Sequence, residues 1–266
     1  MYFISNGSAG SFKFFGSDTE KLFKRNRKNL SKDWYWHNGP EITYKINNEG
    51  FRMDKDFKDV NLDNYFLSIG CSFAFGLGMP YEELYTSLIA KETGLDPVLL
   101  ANVGHGMDTF FHNFFAWVDR YKKLPKFVLL SHSAPDRKTY WLDKHCFETC
   151  SINVLGTKRK KSYKEYLEYE TYHYVDYRIK HLAIKNFCDS NNIPLIEFSA
   201  LGNKLLTSLN VKFLNYNHKN LPLARDHCYH NNMIASHPGY EYQSNVLTVG
   251  MNIGLILKAK LILFTE

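Results

Sequence analysis

The chain has 266 residues, 44% hydrophobic and 23% charged, which excludes a disordered or fibrous polypeptide and suits one large α/β domain with an ample core. Its net charge of +6 gathers in two runs, Lys21–Lys32 and Lys158–Lys164, with no RNA- or DNA-binding signature around either. The runs therefore read as solvated faces, and no nucleic-acid partner is expected.

In chain order, residues 1–7 (MYFISNG) lack the charged region and apolar core of a signal peptide, which predicts a cytoplasmic protein. Residues 1–62 are polar, aromatic and turn-rich, and are expected to form an N-terminal extension packed on a main domain of residues 63–266. From Tyr65, apolar runs alternate with helical stretches. Buried strands are predicted at 65–69, 98–102, 127–131, 194–198 and 211–215, and helices at Tyr81–Thr93, Asp108–Tyr121, Thr171–Ser190 and Tyr240–Leu257. Strands separated by helices imply right-handed crossovers and a three-layer α/β/α sandwich around a parallel sheet of about five strands. Residues 136–170 break the alternation and read as an insertion. Met251–Phe264 is interrupted by Lys258 and Lys260 and is too short to span a bilayer, so no membrane association is expected.

The five cysteines (71, 146, 150, 188 and 228) form an odd set without a framework, as expected of free thiols in a reducing compartment. His227, Cys228 and His230, with His145, Cys146 and Cys150, have no finger or ribbon spacing, so neither a metal nor a cofactor is expected. Gly70, Gly76 and Gly78 fit neither a phosphate loop nor the dinucleotide fingerprint.

Residues 65–78 (YFLSIGCSFAFGLG) carry the chemistry. An apolar run that stops at glycine and at once presents a serine delivers Ser72 to the carboxyl edge of a sheet, where open α/β folds hold their sites. A nucleophilic serine also needs a histidine within reach and donors for the oxyanion. Gly104 and Gly106, in Asn102-Val103-Gly104-His105-Gly106, let the backbone approach a ligand closely. His237, in His237-Pro238-Gly239 ahead of the last predicted helix, is placed to face back to the strand ends. The plain alternatives are a helix-capping serine and a surface-loop histidine.

These three pieces, in this order, resemble the SGNH (GDSL-type) hydrolase family. Gly70-Cys71-Ser72-Phe73-Ala74-Phe75-Gly76 is similar to its first block, Asn102–Gly106 to its second and His237-Pro238-Gly239 to its last, while Tyr44–Arg52 looks like a lead-in found in many members. The resemblance implies a flavodoxin-like fold and a serine esterase working through a Ser72 acyl-enzyme. Its substrate would be an acetyl or other short acyl ester of a carbohydrate or similar polar molecule. His237 would be the base, Asn102, Gly104 and Gly106 would serve the oxyanion and substrate, and no cofactor is implied.

Three positions depart from the family's pattern. Cys71 stands where the family usually has aspartate, and reads either as a nucleophile itself or as a small buried thiol. The third block has no asparagine in Ser131-His132-Ser133, leaving Ser133 or His132 as substitute donors. Ile234 occupies the usual acid position three residues before His237; Asp226 is the nearest carboxylate, beside Arg225, with His230 an alternative base. An O-acyltransferase, or a degenerate domain that binds a glycan or partner, stays open beside the esterase. The sequence does not indicate an oligomeric state.

Overall fold

The computed structural model describes residues 2–30, 32, 34–135, 137–141, 147–150, 170–199, 212–213, 225, 228–230 and 233–235. Its elements in chain order are β1 (Gly10–Phe12), α1 (Glu20–Asn29), β2 (Tyr44–Ile46), β3 (Tyr65–Gly70), α2 (Ser72–Phe75), α3 (Tyr85–Thr93), β4 (Asp96–Ala101), α4 (Met107–Tyr121), β5 (Val128–His132), β6 (Lys138–Trp141), β7 (Phe147–Cys150), α5 (Glu170–Ser190), β8 (Leu195–Ser199), β9 (Lys212–Phe213), β10 (Cys228–His230) and β11 (Met233–Ala235).

The main sheet is parallel, in the order β4-β3-β5-β8-β9, with β9 a two-residue strand at one edge. Every residue of β3 and β5 is buried, which explains their unbroken apolar runs: a parallel sheet covered by helices has no solvent face to alternate with. Pro97 falls inside β4, an edge strand, where a missing N–H is tolerated.

Two layers of helix cover the sheet. On one face Tyr85 of α3 shares a hydrogen bond of 2.9 Å with Ser68 and meets Phe198 edge-on at 5.6 Å. On the other, Trp117 of α4 donates to Tyr65 Oη at 3.1 Å, and Phe114 packs on Phe187 of α5. The predicted helix Tyr81–Thr93 is divided: Tyr81–Glu83 form a 3-10 turn, and α3 starts at Tyr85 because Leu84 is extended (φ −70°, ψ 144°). The predicted helix Tyr240–Leu257 and the lysine run at 158–164 lie outside the described residues.

Residues 3–6 run along the end of β4. Ile4 N–H donates to Asn113 Oδ1 at 2.9 Å, and Asn6 bridges the Ala101 carbonyl (2.8 Å) and the Val103 N–H (2.9 Å). The basic run Lys21–Lys32 overlaps α1, which is capped by Thr19 Oγ1 accepting from Leu22 N–H. Within the segment read as an insertion, β6 and β7 pair as an antiparallel hairpin. Lys138 of β6 ties it to α4 and α5 by ion pairs to Asp108 and Asp176, and Lys180 of α5 joins the same two carboxylates.

The lead-in at 44–52 supplies the deepest charge in the fold. A turn at Asn47–Gly50, with Gly50 at φ +84°, folds Arg52 back opposite Ile46. Arg52 is fully buried. Its guanidinium donates to the carbonyls of Phe75 (2.9 Å), Gly76 (2.6 Å) and Met79 (2.7 Å), and lies 4.6 Å from the Tyr44 ring centroid. Burial pulls the guanidinium down to about 10, still charged at neutral pH. A buried cation is thus held by three carbonyls and an aromatic face, with no carboxylate within ion-pair distance among the described residues.

Replacing Arg52 by methionine would leave those three buried carbonyls without their donors. The expected loss is about 3 kcal/mol or more, with little recovery in Arg52→Lys because one ammonium cannot reproduce the planar fork. Chemical denaturation measures it, and a loss below about 0.5 kcal/mol would contradict this role.

Candidate active site

Strand register gathers the candidate residues. In adjacent strands Gly70 lies opposite Ala101 of β4 and Ser131 of β5. The segments that follow, Cys71-Ser72, Asn102–Gly106 and His132-Ser133, therefore leave the same edge of the sheet side by side. Ser72 is the first residue of α2 and only 3% exposed.

Two glycines set α2 tightly on that edge. A Cβ on Gly70 would lie 2.6 Å from Ala74 Cβ and 2.8 Å from Ser131 Cβ. Gly76 ends the helix at φ +73°, and a Cβ there would fall 2.0 Å from Leu84 Cδ2, so the extended Leu84 closes over the turn. Cys71, the expected small thiol, is a fully buried free cysteine.

The two loop glycines differ in their surroundings. Gly104 is left-handed (φ +83°) and a Cβ on it would meet nothing within 4 Å among the described residues. Gly106 lies under the chain before β6, where a Cβ would sit 2.5 Å from the Arg137 carbonyl oxygen. Between them His105 shares a 2.7 Å hydrogen bond with Thr109, which reaches Thr139 at 2.8 Å. Among the described residues, Gly104 is the one of the two with no side chain or backbone crowding it.

Asn102 has partners of its own within the protein. Its side chain donates to the Ile4 carbonyl (2.9 Å) and accepts from Asn113 (3.2 Å), so it ties the second loop to the N-terminal segment. His132 is likewise engaged elsewhere, its ring nitrogens meeting Tyr177 Oη and Glu197 Oε1. Ser133 is different: it is fully buried, and its hydroxyl has no partner among the described residues. A buried polar group in that condition asks for a ligand.

Asp226, His237 and the side chain of His230 lie outside the described residues, but their neighbours are well anchored. Arg225 is buried; it donates its N–H to the Gly78 carbonyl at 2.9 Å and ion-pairs with Asp18 at 2.6 Å. Asp18 also accepts from Tyr44 Oη, which in turn accepts from Gly78 N–H at 2.8 Å. Beyond Arg225, β10 and β11 form an antiparallel hairpin with Cys228 opposite Ala235 and His230 opposite Met233 at the turn end. None of these contacts had a signal in local sequence.

No protein-family model matches the chain, and no curated protein matches it significantly. It is similar in structure to a lipolytic protein of the G-D-S-L family from Desulfitobacterium hafniense, at 13% identity and TM-score 0.40, covering 72% of this chain and 99% of that one. It is also similar to a carbohydrate esterase family 2 enzyme from Corynascus thermopiles, at 12% identity and TM-score 0.44, covering 74% of this chain and 66% of that one. A third likeness is to the psychrotrophic esterase EstA of Pseudoalteromonas, at 13% identity and TM-score 0.41, covering 74% and 100%. At these values the likenesses assign no activity to this chain.

The second loop has its own pH signature. Burial, then the nearby Arg137 charge, pushes the His105 imidazole down to about 4 from 6.5. The unfolded chain therefore takes up this proton first. The stability His105 carries is whole above its unfolded value of 6.5 and is lost as pH falls through about 4. That loss is about 3 kcal/mol. Denaturation between about pH 7 and about pH 4 should show a shallower acid decline in His105→Gln than in the parent. Parallel declines would contradict it.

Proposed function

We propose that this chain is an ester hydrolase of SGNH type. It removes an acetyl or other short acyl group from a carbohydrate or similar polar substrate through a Ser72 acyl-enzyme. One observation carries the reading: three adjacent strand ends bring to one edge the buried Ser72, a Gly104 backbone uncrowded by the described residues, and a Ser133 hydroxyl with no partner among them. That is the set acyl transfer needs on the nucleophile and oxyanion side.

His237 removes the Ser72 hydroxyl proton as Oγ attacks the ester carbonyl. The oxyanion is held by the Ser72 and Gly104 N–H groups and the Ser133 hydroxyl. His237 then passes its proton to the departing alcohol and activates the water that hydrolyses the acyl-enzyme, while Asp226 orients the imidazole. Asn102 positions the second loop and donates to no substrate atom, and Gly106 keeps that loop packed on Arg137.

Support for the Asp226–His237 pair comes from the hairpin. Cys228 and Ala235 close its base, so the chain returns to its starting point two residues after Asp226 and two before His237. His230 belongs to the turn end of the hairpin, which favours His237 as the base. Arg225 fastens the residue before Asp226 to the loop that follows α2.

Turnover of an activated acetyl ester such as p-nitrophenyl acetate tests this reading. Ser72→Ala should lose at least about a thousandfold in kcat, and Ser133→Ala about ten- to a hundredfold with KM little changed. Undiminished turnover in Ser72→Ala would sink the reading. Faster release on adding a sugar acceptor would assign acyl transfer in place of hydrolysis.

A further inference from the structure

Behind Ser133, on the opposite face of the sheet, three metal-binding side chains converge. His132 ends β5, Glu197 lies in the middle of β8, and His181 projects from α5. Their ligand atoms all fall within 4.8 Å of one another. Glu197 Oε1 is the meeting point: it lies 3.0 Å from His132 Nε2 and closer still to His181 Nε2. The histidine side chains are 0% and 3% exposed, and the Glu197 side chain 18%.

We infer that His132 Nε2, His181 Nε2 and a Glu197 carboxylate oxygen form a binding site for a divalent ion of the zinc class, clamping α5 to β5 and β8. Two imidazoles and one carboxylate are a donor set that zinc accepts readily, with water as a fourth ligand. A tetrahedral ion with bonds near 2.0–2.1 Å spaces its ligands about 3.3 Å apart. To receive it the His132–Glu197 contact must widen by a few tenths of an ångström and the closer His181–Glu197 contact by close to an ångström, and Glu197 is the most exposed of the three.

The surroundings suit this role. Tyr177, one helical turn before His181, places its hydroxyl 2.5 Å from His132 Nδ1. A phenol both donates and accepts. When Nε2 gives its lone pair to the ion, the ring proton moves to Nδ1 and the Tyr177 oxygen accepts it, so the second nitrogen stays partnered in either tautomer. His181 Nδ1 is buried with no partner among the described residues, which leaves Nε2 as that ring's only polar anchor. No local spacing announces the site, since its ligands come from three distant elements.

The test is metal analysis of the full chain after incubation with zinc chloride and desalting, with thermal unfolding alongside. One equivalent of zinc should be retained, the melting temperature should rise by several degrees, and a chelator should reverse the rise. His181→Ala and the near-isosteric Glu197→Gln should each lose that equivalent. Circular dichroism separates loss of the site from loss of the fold, and cobalt substitution should give tetrahedral visible absorption in the parent and not in folded Glu197→Gln. No retained zinc in the parent would overturn the inference. So would equal retention in the folded variants, which would put the ion among other cysteines and histidines.

Discussion

A buried guanidinium with no carboxylate at ion-pair distance among the described residues braces the turn that follows Ser72. The helix that begins at Ser72 has four residues, too few to persist alone, and its far end turns through carbonyls that point inward. Arg52 collects three of those carbonyls on one planar group, and the neighbouring rings of Tyr44 and Phe75 pack beside it. The cation cannot leave without stranding the carbonyls, and the carbonyls cannot turn without stranding the cation. The position of Ser72 on the sheet edge follows from that mutual constraint.

A second network grows from the same loop. Gly78 gives its N–H to Tyr44 and its carbonyl to Arg225, while Asp18 receives both Tyr44 and Arg225. The loop after the candidate nucleophile is thus a junction of the N-terminal residues, the lead-in and the segment next to Asp226. Each carbonyl or N–H satisfied there fixes a different length of chain. Opposite it, Asn102 and Asn113 fasten the second loop to Ile4, so both loops beside Ser72 are braced from the N-terminal side.

The parts of this arrangement that were legible in sequence are those with a local cause. Strands buried on both faces read as apolar runs, so β3 and β5 were readable to within a residue, and β8 was too although Glu197 interrupts its run. A glycine before a serine announced the turn at Ser72 because only glycine lets α2 sit against Ser131. Leu84 was misread, since its apolar spacing matches a helix while its side chain is needed over Gly76 in an extended backbone. The partners of Asn102 were not legible, because a loop asparagine looks alike whether it faces a substrate or a neighbouring carbonyl. The Asp18–Arg225 pair spans 207 positions, and no window of sequence contains both ends.

The central claim is that three strand ends and the segment around His237 form one acyl-transfer site around Ser72. A crystal structure of the protein reacted with a fluorophosphonate tests it most directly. The account predicts phosphorus bonded to Ser72 Oγ, the phosphoryl oxygen within hydrogen-bond distance of the Gly104 N–H and the Ser133 hydroxyl, and the His237 ring beside Oγ. An adduct on Cys71, or a phosphoryl oxygen turned away from Gly104 and Ser133, would contradict it.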